Sequence, residues 1–277
     1  MNEIRYSVLM SVYYKENPKY FRESINSMLK QTVKPDEIVL VKDGPLSVEL
    51  EEVLDEYKDE PILKVHELKE NVGLGKALNI GLLKCRNDIV ARMDTDDISL
   101  PDRCEKQLIH LQNNKELSVV GTVVGEFIGE ANNIIAYKSV LEKNEDIRRQ
   151  MKYRNPMNHP SVMYRKKDVI VAGNYQHWLL NEDYYLWIRM MQKGLKFSNI
   201  NEALVLMRVT EDTYFRRGGW KFFVTQKKIF DYMLKVKAIN IFEYIYNNLI
   251  RLITQVFITN KMRKTLYLKI LRKKDGT

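Results

Sequence analysis

The amino-acid sequence predicts an α/β fold: a mixed, mostly parallel β-sheet with flanking helices, followed by a C-terminal helical extension. Short apolar runs alternate with amphipathic segments through the first hundred residues, which is the pattern of parallel strands joined by crossover helices. The apolar runs are continuous rather than alternating with polar residues, so both faces of the sheet are expected to be covered. From Trp220 onward, apolar and basic residues recur at helical spacing, which predicts the extension.

The N-terminal part supplies four predicted strands and the helices between them. Asn17 and Pro18 provide an N-cap and a first-turn proline, so a helix begins there with Phe21, Ile25 and Met28 on one apolar face. Each apolar run has the length of a strand and ends in a turn or a polar cluster. The predicted strands cover 6–14, 37–42, 62–66 and 89–93, and the two later helices cover about 46–60 and 76–84.

After Pro101 the pattern changes to strands that add to the sheet in mixed directions. Helices are predicted at about 102–114, 145–152 and 183–193, and strands at 118–125, 134–137 and 159–164. We expect one domain over residues 1–215 and a basic amphipathic helical tail over residues 216–277.

The positive charge of the chain is concentrated in the tail. The formal net charge is +9, but residues 215–277 hold 15 Lys and Arg against 3 Asp and Glu, which leaves residues 1–214 with a net charge of −3. Such a tail suits an anionic surface, either nucleic acid or the inner membrane leaflet. Its first apolar residues either lie on that leaflet or pack on the domain with the lysines in water; they are Phe222, Phe223, Ile229, Phe230, Met233 and Leu234.

From the sequence we expect neither a signal segment nor a spanning helix. The N-terminus leads directly into a predicted strand, and the most apolar window, 241–258, includes Glu243 and Arg251. Cys85 and Cys104 lack the spacing of metal ligands, so we expect free thiols in a reducing compartment. These features predict a cytoplasmic protein.

An acidic cluster follows the fourth predicted strand. Asp94, Asp96 and Asp97 place three carboxylates in four residues. Carboxylates this close repel one another, and a hard divalent cation such as Mg²⁺ or Mn²⁺ relieves that repulsion while it binds substrate phosphates. The alternative is a solvated turn before the helix near Pro101. Because ligands of parallel sheets bind beyond the carboxyl ends of the strands, Tyr13, Asp43 and the cluster are expected to gather at one edge.

Five segments in this order resemble the glycosyltransferases of family 2, which use nucleotide-sugars and have a GT-A fold. The segments are Ser11-Val12-Tyr13, Val41-Lys42-Asp43-Gly44, Asn71 to Asn79, Met93 to Asp97 with Pro101-Asp102-Arg103, and Asn181-Glu182-Asp183-Tyr184. The stretches 158–163 and 216–219 resemble the bacterial enzymes of O-antigen, capsule and exopolysaccharide synthesis. The resemblance implies a nucleotide-sugar-binding half over residues 1–100 and an acceptor-binding half over residues 101–215.

The resemblance also implies a nucleotide site along the first strands. Asp43 corresponds to the aspartate that contacts uracil, with Ser11 and Tyr13 beside the ring. Gly73 allows close approach of the backbone, and Lys76 at a helix start is placed to meet a phosphate. A plain Asp-Gly-Pro turn is the alternative interpretation of Asp43.

The acidic cluster is expected to hold the metal and the donor sugar. Asp96 is the predicted ligand of Mn²⁺ or Mg²⁺, Asp94 is directed at the ribose or donor sugar, and Asp97 orients the loop or shares the ion. Arg208 follows the last predicted strand, where relatives close a loop over the diphosphate. Some relatives have a histidine ligand near this position, and this chain has Arg208-Val209-Thr210 instead.

Asp183 is the predicted general base, because the second acidic residue of a Glu-Asp pair at a helix start has that role in the family. Glu182 is the weaker candidate, and both carboxylates also suit the positive end of a helix dipole. His159 and Trp187 are predicted to contact the acceptor, although a buried structural role is the alternative for each.

The predicted function is inverting, metal-dependent transfer of a sugar, most simply from a UDP-sugar, to a hydroxyl of a lipid-linked oligosaccharide. The predicted location is peripheral, on the cytoplasmic face of the inner membrane through the tail. Two other classes stay open: a nucleotidyltransferase or phosphohydrolase using the same aspartates, and a non-catalytic nucleotide- or nucleic-acid-binding protein. Nucleic acid is not expected as a partner because the tail lacks a nucleic-acid-binding motif.

Overall fold

The computed structural model describes residues 5–210, 218–259 and 262, and its central feature is a mixed β-sheet. Within these residues the strands are β1 (Tyr6–Val12), β2 (Glu37–Lys42), β3 (Leu63–Glu67), β4 (Ile89–Arg92), β5 (Ile98–Ser99), β6 (Leu117–Phe127), β7 (Ile134–Lys138), β8 (Met163–Arg165) and β9 (Lys196–Arg208). The helices are α1 (Pro18–Leu29), α2 (Val48–Asp55), α3 (Leu74–Lys84), α4 (Arg103–Asn113), α5 (Asn144–Met151), α6 (Lys166–Val171), α7 (Glu182–Gln192), α8 (Trp220–Lys235) and α9 (Ile241–Arg251).

The N-terminal half of the sheet is parallel, as the sequence predicts. The strand order is β3-β2-β1-β4-β8-β6-β9-β5, with β7 on β6. β1 pairs in parallel with β2 and β4, and β2 with β3. Asn17 caps α1 by accepting a hydrogen bond from the backbone amide of Lys19 at 2.9 Å. The carboxyl ends of β1, β2 and β4 therefore lie along one edge, which positions residues 11–13, 43 and 94–97 together.

The second half of the sheet is mixed. β8 runs antiparallel to β4 and β6, β6 runs parallel to β9, and β5 runs antiparallel to β9. Two apolar clusters cover the opposite faces of the sheet, with Leu9 and Val39 in one cluster and Val8 and Leu40 in the other. This two-sided burial explains why the strands are continuous apolar runs.

Three short elements depart from the sequence prediction. The strand predicted over 159–164 is a 3₁₀ turn at His159–Ser161 followed by β8, since Pro160 has no amide hydrogen for a strand ladder. β5 and α6 were not predicted at all, because two and six residues are too short to show a period.

The tail begins as part of the folded domain. In α8 the apolar residues Phe223, Ile229, Phe230 and Met233 are buried and join the cluster that contains α7. The expectation that this apolar face lies on a membrane is therefore wrong for α8, because the domain already covers it. Predicted basic and apolar residues beyond 262, and the pair Arg216-Arg217, lie outside the described residues. In the described part of the chain, no helix is both long and apolar enough to cross a bilayer.

Candidate active site

The acidic cluster forms the loop between β4 and β5, and each of its three aspartates has a different environment. Asp94 forms an ion pair with Arg92, and its side chain is 29% exposed. Asp97 is buried and accepts a hydrogen bond from the backbone amide of Arg208 at 2.9 Å. Asp96 is partly buried, and burial together with the Asp94 charge raises its pKa to about 6. The three carboxylates are thus held individually rather than as one ligand cluster.

Two buried arginines lie behind this loop. Arg92 is 1% exposed and also donates to the carbonyl of Leu9 at 3.2 Å. Arg103 is fully buried and donates to the carbonyl of Arg92 at 2.7 Å. Burial lowers the pKa of Arg103. Sequence reasoning gave Arg92 no role, and the one available signal was a charged residue at the end of an otherwise apolar strand.

Arg208 supports the same loop through several contacts. Its guanidinium lies 3.7 Å from the ring centre of Tyr20 and 4.5 Å from that of Phe127. It forms an ion pair with Glu23 at 2.6 Å, and it donates to the carbonyl of Asp96 at 3.1 Å. Only 5% of the side chain is exposed, so Arg208 supports the loop in this structure, and its contact with the donor stays a prediction. Asp97, equally buried, orients the loop.

The residues predicted to bind the nucleotide lie at the predicted edge of the sheet. Both Asp43 oxygens accept backbone amides, from Val72 at 2.7 Å and from Gly73 at 3.0 Å, so this carboxylate joins β2 to the turn before α3. Asp43 is 3% exposed, and each oxygen keeps a lone pair for a further donor. Gly73 has a φ of +86°, a conformation that favours glycine.

The other residues predicted to bind the nucleotide are Ser11, Tyr13 and Lys76. Ser11 accepts, through its carbonyl, a hydrogen bond from the Thr95 hydroxyl at 3.3 Å, which ties β1 to the acidic loop. Tyr13 is partly buried, and Lys76 is exposed in the first turn of α3. The structure therefore brings Ser11, Tyr13 and the acidic loop to one edge and leaves Lys76 in solvent.

Glu182 and Asp183 begin α7 next to the start of α3. A Cβ added to Gly75 of α3 would lie 3.2 Å from the Cβ of Glu182, which shows how closely the two helix starts approach. Burial and the charge of Asp183 raise the pKa of Glu182 to about 7, and Asp94 contributes in the same direction. Asp183 is partly exposed and accepts a hydrogen bond from the Asn155 amide at 2.6 Å. Asp94 and Glu182, which are 88 residues apart in sequence, therefore influence each other electrostatically.

His159 and Trp187 are core residues. The His159 ring lies 3.0 Å from the Tyr175 hydroxyl, and burial lowers its pKa, so the ring is neutral near pH 7. Trp187 is fully buried, with its ring centre 6.4 Å from that of His159 and 6.3 Å from that of Phe197. The prediction that the Trp187 ring contacts an acceptor is not supported, because it would have to leave the apolar core.

The donor groups of the acidic loop fit a divalent cation only in part. Within residues 5–210 and 218–259, no three histidine, cysteine or acidic side chains converge as a complete ligand set. Over the same residues Asp96 makes no ion pair with lysine or arginine, whereas Asp94 is paired and Asp97 is turned inward. A carboxylate is a suitable ligand for Mn²⁺ or Mg²⁺. Asp96 therefore fits as a single protein ligand, with the remaining positions open to substrate oxygens.

Comparison with known proteins identifies relatives over almost the full chain. The model of the family described as Glycosyl transferase family 2 matches residues 7–172. The amylovoran biosynthesis glycosyltransferase AmsE of Erwinia amylovora is 38% identical over 91% of this chain and 94% of its own length. The Escherichia coli UDP-Gal:alpha-D-GlcNAc-diphosphoundecaprenol beta-1,3-galactosyltransferase is 34% identical over 97% of both chains.

A solved structure has the same fold. Residues 1–349 of Staphylococcus aureus TarS, in complex with UDP-GlcNAc, superpose with a TM-score of 0.67 at 18% identity, covering 96% of this chain and 76% of that one. The predicted α/β architecture of the GT-A type is confirmed.

Proposed function

Because this chain belongs to glycosyltransferase family 2 and is therefore a transferase, we propose that it moves a sugar from a UDP-sugar to a hydroxyl of a lipid-linked oligosaccharide, with inversion. The observation that carries this proposal is that Glu182, at the start of α7, lies beside the start of α3 and near enough to Asp94 for that charge to raise its pKa. The acidic loop suits a nucleoside diphosphate with its cation, and the start of α7 suits an acceptor hydroxyl.

The donor part of the proposal rests on the strand-end residues and on the relatives' names. Asp43 keeps lone pairs for the N–H of a base, and Ser11 and Tyr13 border the same edge. The E. coli relative is named for UDP-Gal, and TarS binds UDP-GlcNAc. These points favour a UDP-sugar for this chain, with Asp94 toward the ribose or sugar and the exposed Lys76 toward a phosphate.

Asp96 is the proposed ligand of Mn²⁺ or Mg²⁺. Asp96 would hold the cation, whose positive charge would stabilise the negative charge that develops on the leaving nucleoside diphosphate. What the chain itself contributes is the fixed loop: Asp97 and Arg208 hold its far side, and Arg92 neutralises Asp94. Asp96 is thereby the carboxylate left available.

Asp183 is the proposed general base. The acceptor oxygen forms a bond to the anomeric carbon while the bond from that carbon to the phosphate oxygen breaks, and its electrons leave with the nucleoside diphosphate. The acceptor proton moves to Asp183. Asn155 donates to one Asp183 oxygen at 2.6 Å and positions the carboxylate. A single displacement of this kind turns an α-linked donor into a β-linked product, in keeping with the product named for the E. coli relative.

The acceptor and the location follow from the same relatives and from the tail. The E. coli enzyme is named for a diphosphoundecaprenol-linked sugar, and the Erwinia enzyme for amylovoran biosynthesis. A lipid-diphosphate acceptor in bacterial surface polysaccharide synthesis lies at the cytoplasmic face of the inner membrane. The net charge of +12 over residues 215–277 suits peripheral attachment to that anionic face.

Two isosteric substitutions at adjacent positions test the base. Asp183→Asn removes the proton acceptor and should lower kcat by about 10²–10⁴. Glu182→Gln changes the neighbouring carboxylate in the same way and should cost less than about tenfold. Transfer is measured from radiolabelled UDP-sugars to a short-chain lipid-diphosphate sugar, with NMR of the product anomer. Equal losses in the two variants, or an α-linked product, would contradict the assignment.

A further inference from the structure

The helix α9 has its polar side toward the protein and its apolar side toward solvent, the reverse of a surface helix in a soluble protein. The inward residues include Glu243, Asn247 and Arg251. The large apolar residues of α9 and of the π-helical turn that continues it (residues 252–257) are 38–79% exposed: Ile241, Phe242, Ile245, Tyr246, Leu249, Ile250, Ile253 and Phe257. At 100° per residue they occupy one continuous half of the helix surface.

Polar contacts fix this orientation. The Asn247 amide donates to the carbonyl of Lys152 at 3.0 Å, and the Lys152 ammonium forms an ion pair with Glu243 at 2.9 Å. The guanidinium of Arg251 lies 4.3 Å from the ring centre of Phe230 on α8. Asn240 and Glu243 form a capping box at the first turn. The helix is thus anchored through its polar side, and the apolar side has no cover among the described residues.

Basic residues lie near both ends of α9, and we call them the basic border. A cavity of about 520 Å³ next to the start of α9 is lined by Arg148, Arg149, Lys152 and Lys237, with Glu145 as its acidic member. Lys221 and Lys228 of α8 are exposed as well. Trp220, at the start of α8, is 62% exposed, and the adjacent Gly219 amide donates to the Gln255 carbonyl at 2.7 Å, so this indole lies near the far end of the stripe. Aromatic rings and basic side chains around an apolar stripe are typical of helices that lie in a bilayer interface.

We propose that the outward face of α9 inserts into an anionic phospholipid bilayer, parallel to its surface, with the basic cavity against the lipid headgroups. This proposal rests on the proposed function, because a lipid-linked acceptor would bring the protein to a membrane. It assigns the membrane contact to α9 and its π-helical continuation. The apolar face of α8 is covered by the domain, so α8 connects α9 to the domain. Charge complementarity between the basic border and acidic lipids selects a bilayer over another apolar surface.

The test compares two double variants in flotation with phosphatidylcholine vesicles containing about 30% phosphatidylglycerol. Phe242→Glu with Leu249→Glu should weaken binding at least about tenfold, because both side chains would have to enter the acyl boundary. Val48→Glu with Val171→Glu is the matched control: these valines are 72% and 62% exposed elsewhere on the domain, and the charge change is the same. The control should lose less than about threefold.

Trp220 provides a second readout. Vesicles with brominated acyl chains should quench the fluorescence that Trp220→Phe removes. The Trp220→Phe variant gives the background of the other two tryptophans, since Trp187 is fully buried and Trp178 is partly buried. Equal flotation of the two double variants, or no quenching of Trp220, would overturn the proposal. A dimer that light scattering detects and the α9 variant dissociates, without any vesicle binding, would assign the face to a second copy instead. A large loss of thermal stability in the α9 variant alone, with unchanged flotation, would indicate that residues 260–277 cover the outward face of α9.

Sugar transfer to a water-soluble acceptor separates this inference from the proposed function. The α9 double variant should retain that activity, because both substituted side chains are exposed and distant in sequence from the site. Intact transfer with equal flotation of both variants would defeat the inference alone. Absent transfer in the wild type, with the flotation difference intact, would defeat the proposed function and leave the lipid-binding face in place.

Discussion

Replacing Arg208 by methionine separates the two interpretations of this residue. If Arg208 binds the donor diphosphate, the variant folds normally and loses affinity for nucleotide. The structure instead places the guanidinium between the rings of Tyr20 and Phe127, paired with Glu23 and bonded to the carbonyls of Gly129 and Asp96. On this geometry the principal loss is stability, and any loss of nucleotide binding follows from a displaced loop.

The magnitude follows from what methionine leaves behind. Breaking a buried ion pair costs about 3–5 kcal/mol when its partner stays buried. Glu23 is 33% exposed and regains water, so its share is smaller, whereas the carbonyls of Gly129 and Asp96 each lose a charged donor. Methionine keeps part of the packing between the rings. We expect a net loss of about 3 kcal/mol, which for a chain of this size lowers Tm by about 6–9 °C.

Thermal unfolding followed by circular dichroism measures this change, with calorimetric titration of UDP on the same preparations. Arg208→Lys retains the charge without the planar fork and should recover only part of the stability. Arg22→Met is the surface control: Arg22 pairs with Glu56 in solvent and should change Tm little. An Arg208→Met variant with the wild-type Tm and a large loss of UDP affinity would refute the structural role.

Three further perturbations test the site. Glu182→Gln should raise Tm at pH 8 but hardly at pH 4. The folded pKa of Glu182, about 7, exceeds the ordinary 4.5, so the stability that the protonated carboxyl provides is lost as pH rises through 7. A Tm difference that does not change with pH would contradict this. Gly75→Ala should lower Tm by about 2–6 °C, since the new Cβ would lie 2.6 Å from the Gln176 carbonyl oxygen, and an unchanged Tm would show that the loop yields freely. With Asp96 as the single protein ligand, EDTA should weaken UDP binding at least about tenfold in the wild type but not in Asp96→Asn, as calorimetry can measure; equal UDP affinity with and without metal would exclude the coupling.

The parallel half of the fold could be predicted because its signals are local. β1, β2 and β4 are buried, largely apolar runs of strand length, and the crossover rule alone brings Asp43 and Asp94 to one edge. The start of α7 was predicted within one residue, because carboxylates favour the first turn of a helix. Family resemblance then supplied roles that the pattern alone did not carry.

The roles of Arg92, Arg208 and Trp187 could not be predicted, because they depend on contacts between distant segments. Nothing in the sequence near Arg208 indicates that Tyr20 and Phe127 enclose it. Trp187 has helical spacing that suits either the core or a sugar surface, and the packing of β9 decides for the core. The tail poses the same problem: periodicity shows that a helix is amphipathic and does not show which side meets the protein.

The three aspartates of the acidic loop have different partners, which limits the repulsion among their carboxylates. Arg92 neutralises Asp94 by an ion pair. Asp97 is buried against the Arg208 amide, and burial together with the neighbouring carboxylates raises its pKa, so its charged form is disfavoured. Asp96 stays partly exposed with its pKa raised to about 6, and the proposed cation would favour its charged form. Because one carboxylate is a weak site alone, the cation gains its remaining oxygens from the nucleotide, and metal and donor are expected to bind as a unit.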